Sequence, residues 1–497
     1  MHRGPGKLGY YVSELVMLRS HVVLSLTYRW TRDDLQINGS NTEHIVSIRN
    51  DRLVVKMTNP TTQIAFKNNT GSPGAYAYVT GLDINNNNTY AFLQPDGKTL
   101  YYPASPSAPQ QPLAVDCAIP LGAPGATTTV TIPQLAGGRI WFVVGSKLTF
   151  LLNPGPGIVE PSVTNETDAN YKLNWGFYNK EQLFVNISYV DFVSLPIALE
   201  LRNTAGATQT VQGLPADGLD RVCAQLTAQG ASENPGWGKL VVKIDGKNLR
   251  ALSPNAGRVG DSTLFNGYYQ PYVDEAWSKY AGTDLKIDTQ AEWGVVTGRV
   301  SADGLLTFPG AGTFAKPSAT DIFSCSTGPF SNYPAETRVQ MGAIGARLAA
   351  ALNRSTLISS PNQPASVSAS GAYYQTSPTN HYARILHGVN LDGRGYAFPY
   401  DDVAPSGATG PDQAGTVYDG SPELLTVTVG GPGSANKDRE EGGGAIGGGD
   451  GAGDGAGDGT GDGDGDGKKD EGDAKAPFDF AALLKKIMAA IKGIFRK

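Results

Sequence analysis

The sequence predicts a mainly β chain, an antiparallel sandwich or barrel into which an α/β subdomain is inserted, with a wide cleft between the two. Three observations carry this. Short apolar runs broken by Gly, Pro and Asn follow one another closely from residue 61 onward. In the middle of the chain the apolar period changes to the helical i, i+3, i+4, i+7. Strand-like runs then return before residue 430. At 497 residues, 40% hydrophobic and 17% charged, the chain is long enough for two or three domains with a sizeable core.

Residues 1–58 fit none of this. Met1 to Arg32 begins basic, but its apolar runs LVML and HVVLSL are short and interrupted by Arg19 and Arg29. That is a poor signal peptide, so export is expected to be encoded elsewhere or the start of the chain to be misassigned. Residues 59–206 form the first part of the β domain, with strands expected at IAFKN (64–68), YAYVTGL (76–82), YAFLQ (90–94), TTTVTI (127–132), RIWFVV (139–144), LTFLL (148–152), LFVNISYV (183–190) and IALEL (197–201). In 207–360, Leu219, Val222, Cys223 and Leu226 mark one helix face, and Val273, Ala276, Trp277 and Tyr280 a second. Pro334 and Glu336 open a third helix that runs to Asn353. LVVKI (240–244) and VVTGRV (295–300) read as strands between them. The sandwich is expected to resume over 361–430 with YARILHGV (382–389) and GYAFPY (395–400).

Residues 431–476 are a Gly/Asp-rich linker that cannot bury a core. Its Asp–Gly alternation lacks the apolar residues that calcium-binding nonapeptide repeats need. In 477–497, Phe480, Leu483, Leu484, Ile487, Ile491, Ile494 and Phe495 share a helix face, with Lys485, Lys486, Lys492, Arg496 and Lys497 supplying charge. A basic amphipathic helix of this kind suits a membrane surface or a partner's groove, or docks back on its own protein.

A net charge of −6 argues against a nucleic-acid partner. No stretch reaches transmembrane length. No Gly-rich phosphate loop and no Gly-x-Ser-x-Gly elbow occurs. Sequons at Asn38, Asn68, Asn87, Asn165, Asn186 and Asn353 together favour a secreted, extracellular or cell-wall glycoprotein. No cofactor is expected. The Asp401–Asp402 pair has no further ligands at metal spacing, so one carboxylate is expected to line the groove and the other to hold a turn.

One stretch concentrates the chemistry. In NWGFYNKEQLFVNISYVDFVSLPIALE (174–200), Val185, Ile187 and Tyr189 alternate and lead to Asp191 at a strand end. Read with VDCAIPLGAPG (115–125), GGRIWFVV (137–144), LTFLLNPGPGIVEPSVTN (148–165), NLRALSPN (248–255), FPGAGTFAKPSATDIFSCSTGPF (308–330), NRSTL (353–357) and NHYARILHGVNLDGRGYAFPYDDV (380–403), it resembles glycoside hydrolase family 64, the secreted endo-β-1,3-glucanases, and especially their fungal members. The resemblance covers Thr61 to Val429 and implies a thaumatin-like β-sandwich, β-1,3-glucan as partner, a monomer, and hydrolysis with inversion. Inversion needs a protonated carboxyl for the leaving oxygen and an ionised one to activate water on the opposite sugar face. The resemblance gives Asp191 the role of base. The family's acid is a glutamate in a Glu-Phe-Thr-aromatic segment after Trp-Gly-Phe. Here Trp175-Gly176-Phe177 runs directly into Tyr178-Asn179-Lys180, and the nearest acid, Glu181, is a weak surrogate. The alternative is a glucan-binding protein that keeps the groove without the chemistry. Sugar contacts are expected from Trp175, Tyr178, Thr379, Asn380, His381, Tyr382, Tyr400, Asp401 and Asp402. His381 and His387 could be catalytic by type, and the structural reading is preferred. The fungal relatives' further cysteine, next to the absent glutamate, is also missing. Of Cys117, Cys223 and Cys325, the last two are expected to pair, the alternative being three buried thiols.

Overall fold

The computed structural model describes residues 58–155, 157–365, 373–406 and 413–432, together with the backbone of four strands nearer the N-terminus. Residues 433–476 of the linker, the basic helix expected at 477–497 and the Asn38 sequon lie outside the described residues. The chain divides into two units. In the first, Val12–Leu18 pairs antiparallel with His21–Leu26, and Val46–Arg49 with Arg52–Val55.

The second unit, Met57–Ala435, carries the sandwich. Its principal elements are β1 (Thr61–Asn68), β2 (Ala75–Asp83), β3 (Thr89–Leu93), β4 (Leu100–Tyr101), β5 (Thr127–Pro133), β6 (Leu135–Val144), β7 (Asn170–Tyr178), β8 (Leu183–Asn186), β9 (Ile197–Asn203), β10 (Thr208–Val211), α1 (Gly218–Ser232), α2 (Pro254–Gly260), α3 (Gln270–Gly282), α4 (Ala319–Ser324), α5 (Arg338–Asn353), α6 (His381–Val389), β11 (Thr416–Asp419) and β12 (Pro422–Val429). One sheet runs β11-β8-β7-β6-β2-β3-β4 and the other β5-β1-β12-β9-β10. Within these two orders all pairs are antiparallel except β12 with β1. The sheets face each other through Phe66 and Phe142, whose rings meet edge-on at 5.5 Å, and through Ile64, Val79, Ile132, Tyr178 and Val185. A change of one residue in register would expose that apolar face, so the alternation fixes the pairing.

Between β10 and β11 the chain builds the helical part. It includes a sheet in which Leu285–Asp288 pairs antiparallel with Val295–Val300 and parallel with Asn362–Gln363. The three helices expected from apolar spacing form as α1, α3 and α5. YARILHGV is a helix, α6, and not a strand. Asn380 caps it by accepting from the Ala383 amide, and Tyr382, Ile385, Leu386 and Val389 form its buried face. α6 packs on α1, so helical structure extends beyond residue 360. GYAFPY contributes one isolated bridge, Ser188 with Tyr396. LTFLL forms a strand only from Leu151, and LFVNISYV only as far as Asn186.

No cysteine pair forms: Cys117, Cys223 and Cys325 are buried free thiols. Cys223 lies on the inner face of α1, while the Cys325 thiol points at the carbonyls of Ile322 and Pro399. Burial pushes the Cys117 thiol up to about 11 and that of Cys223 up to about 12. Three of the sequons are also corrected. Asn68, Asn186 and Asn353 are buried, whereas Asn87 and Asn165 are exposed. Asn353 fastens α5 to its surroundings, its amide donating to Ala349 O at 3.0 Å and Ile322 O at 2.8 Å. Among the described residues no helix is long and apolar enough to cross a membrane.

Candidate active site

A cleft of about 920 Å³ opens on the outer face of the larger sheet. Alternation in β7 sends Tyr171, Leu173, Trp175 and Phe177 into it and turns Lys172 and Asn174 the other way. β6 contributes Arg139 and Trp141; Phe184 and Asn186 follow from β8, and Ser188, Val190 and Asp191 from the segment after it. The opposite wall is α2, with Asn255, Ala256 and Val259, and the loop carrying Tyr396, Pro399, Tyr400 and Asp402.

Asp191 is held by its neighbours in the chain. The Tyr189 amide donates to Tyr396 O at 2.7 Å, and the Tyr396 amide to Ile187 O at 3.0 Å. Tyr382 Oη donates to Tyr189 O at 2.7 Å. Asp191 O accepts from the amide of Ser253, the residue whose hydroxyl caps α2. With its backbone pinned, the carboxylate stands in the cleft. The side chain stays exposed to the cleft, but desolvation by the protein around it raises its pKa above the ordinary carboxylate value, opposed by the charges of Lys172 and Arg139. A raised carboxyl is a better base toward water.

Two other carboxylates line the cleft. Glu160 pairs with Arg139 and accepts from Tyr90 Oη at 2.7 Å. Asp402 accepts from Tyr396 Oη at 2.9 Å. The floor between the walls is aromatic. Phe177 and Phe184 stack at 5.2 Å and 3°, and Trp175 meets each edge-on at 6.0 Å. The arrangement can stack sugar rings and hold a water at Asp191, but no cleft-facing residue of β7 is an acid.

The family model for glycoside hydrolase family 64, described as beta-1,3-glucanase, matches residues 60–429. The chain belongs to this family. A glucan endo-1,3-beta-glucosidase of Cellulosimicrobium cellulans is 30% identical over 314 residues, 61% of this chain and 54% of that protein, and one of Arthrobacter sp. (strain YCWD3) matches equally. The chain thus spans about half the length of the curated relatives it matches, and these are bacterial. The structure of a laminaripentaose-producing beta-1,3-glucanase in complex with laminaritetraose superposes with a TM-score of 0.64 at 32% identity, covering 74% of this chain and 98% of that one. A family 64 beta-1,3-glucanase domain from Clostridium beijerinckii, 19% identical with a TM-score of 0.57, shares the fold.

Against this family 64 cleft, the sequence-predicted residues divide. Asp191, Trp175, Tyr400 and Asp402 line it. Glu181 is exposed in the β7–β8 turn, outside the cleft lining. Tyr178 points into the sandwich core, its hydroxyl on the carbonyls of Asn59 and Thr61. Thr379, Asn380 and Tyr382 are buried structural residues: Thr379 Oγ1 donates to Asn353 O, Asn380 caps α6, and Tyr382 holds Tyr189. His381 is walled in, its Nδ1 accepting from Arg384 at 2.8 Å and its Nε2 2.9 Å from Glu233. Burial, aided by Arg384, lowers its pKa to about 4. Asp401 is buried against Arg354 and His387, both at 3.0 Å, and supports the loop without lining the cleft. Sequence reasoning missed Phe177 and Phe184, which share Trp175's face by alternation, and Arg139, Glu160 and Lys172. A lysine amid the apolar residues of NYKLNWGFY was the available signal for the last.

Proposed function

We propose that this chain is a β-1,3-glucan-directed member of family 64 whose cleft takes the polysaccharide, with Asp191 as the base of an inverting hydrolysis. The single observation that carries this is Asp191 itself, a carboxylate exposed to the cleft on a pinned backbone beside an aromatic floor. The names of the relatives and the sugar bound in the neighbouring structure support the substrate class. In this reading the acid segment after Phe177 is deleted, and the cleft face of β7 carries Trp175 and Phe177 without a carboxyl. Loss of general-acid assistance lowers the rate by about 10²–10⁴-fold. That observation also favours a second reading, glucan capture without turnover. Secretion to a cell-wall setting accords with the exposed sequons Asn87 and Asn165.

Reducing-sugar release from linear β-1,3-glucan separates the readings. The chain is assayed beside a variant in which Cys-Glu-Phe-Thr-Phe replaces Tyr178. Turnover only in the restored variant, lost again on Asp191→Asn, supports a glucanase scaffold without its acid. Equal turnover in both would overturn the deletion reading, and turnover that survives Asp191→Asn would remove Asp191 as base. Binding of the glucan with no turnover in either form would favour capture.

A further inference from the structure

Lys172 has no place in the chemistry above, yet it lies directly behind it. It is 1% exposed, on the core side of β7, with Tyr171 and Leu173 on either side facing the cleft. Its Nζ donates to Phe192 O at 2.9 Å and to Ser188 O. The ammonium also sits 4.3 Å from the centre of the Tyr189 ring and 5.4 Å from that of Phe192. Asp191 is thus bracketed by residues that Lys172 holds. Removing an ammonium from water costs several kcal/mol, and a well-packed apolar residue of similar volume is often neutral or stabilising in its place. Stability alone therefore gives no reason for a cation here.

We propose that Lys172 is a positioning residue for Asp191: its ammonium clamps the carbonyls on either side of that carboxylate and sets a positive charge behind it, keeping the carboxylate ionised and aimed into the cleft. This rests on the reading of Asp191 as the functional carboxylate. The surrounding charges leave Lys172 this role. Arg139 acts on Asp191 from β6. Tyr171, Tyr189 and Tyr382, packed nearby, have their phenols pushed above the ordinary value by burial and stay neutral. Glu166 and Arg250 act on Tyr171, and Asp392 on Tyr189. Burial lowers Lys172 to about 7 while Asp191 opposes that shift, so the two charges are coupled.

The test follows Asp191 itself and needs no turnover. In the full chain carrying side-chain-carboxyl ¹³C aspartate, the Asp191 signal is assigned by its absence from Asp191→Asn and followed from pH 3 to 9. The Asp191 midpoint is expected to rise measurably in Lys172→Met and to stay near the wild-type value in Lys172→Arg, since a nearby opposite charge favours the ionised carboxylate. In wild type the same signal is expected to show a second inflection near the Lys172 midpoint, which disappears in either variant. An unchanged midpoint in folded Lys172→Met overturns the proposal. Should that variant not fold, a single-step wild-type titration overturns it. The glucan assay reads separately: turnover by Asp191→Asn removes Asp191 as base but leaves the coupling result standing.

Discussion

Asp401 shows how a buried charge serves the cleft from behind. It is fully enclosed, accepts from Arg354 at 3.0 Å and from the Ala397 amide at 2.9 Å, and stands 3.0 Å from His387 Nε2. Burial alone would raise its carboxyl, but His387 and Arg354 outweigh that and hold it below the ordinary value. Arg354 also donates to the carbonyls of Asp401 and Val403, so this cluster fixes the loop that presents Tyr396, Tyr400 and Asp402. Asp401→Asn leaves Arg354 buried without its counter-charge, and breaking a buried pair from one side costs about 3–5 kcal/mol. Urea unfolding at pH 7 is expected to show a loss of that size. A depressed carboxylate stabilises above its unfolded value and loses that contribution as pH falls through the folded one. The gap between wild type and variant should therefore narrow in acid.

At the scale of elements, β7 and β8 make the floor on which a sugar would lie. Trp175, Phe177 and Phe184 form one aromatic group because period two puts them on the same face of paired strands, with Phe177 opposite Phe184. Trp175→Ala is expected to weaken binding of linear β-1,3-oligosaccharides several-fold to tenfold by calorimetry, the scale of an aromatic contact worth about 0.5–1.5 kcal/mol beyond its buried area. An affinity unchanged within twofold would mean that the sugar does not use this floor. The same elements show what could be read in advance. Reading short apolar runs between turn residues sufficed for β1, β2, β6 and β9, whose inner faces are apolar. It failed at 382–389, where the Asn380 cap and the spacing of Tyr382, Ile385, Leu386 and Val389 already spelled a helix. Thr379, Asn380 and Tyr382 were misplaced for a related reason: polar and aromatic types suit a groove, but only the packing of α6 on α1 and the bonds to Asn353 and Tyr189 reveal that they are internal. Asp191 was singled out through the family resemblance; the strand expected to end on it stops at Asn186, and the carboxylate reaches the cleft from the segment after β8. Its support from Ser253, Lys172 and Tyr396 comes from remote segments, which no local pattern contains.

For the molecule as a whole, the buried ammonium of Lys172 is a test of where stability is given up for geometry. Burial lowers it from the ordinary lysine value to about 7, with Asp191 pulling the other way. Below pH 7 both folded and unfolded chains carry the proton, and the full penalty of a buried charge is present. Between about 7 and the unfolded value near 10.4 the unfolded chain binds more protons than the folded one, so wild-type stability rises with pH. Lys172→Met removes this dependence. Its stability relative to wild type should be greatest in acid and fall by about 1.4 kcal/mol per pH unit across that window. The absolute offset also includes two carbonyls, of Ser188 and Phe192, left without their donor at about 1–3 kcal/mol each. The slope is free of that constant, and denaturant unfolding of both proteins at pH 6, 8 and 9.5 measures it. Parallel curves would mean that Lys172 is not held at a lowered value in the folded state. A variant that is more stable in acid yet holds Asp191 at a higher midpoint would show that the fold tolerates a costly cation for the sake of one carboxylate.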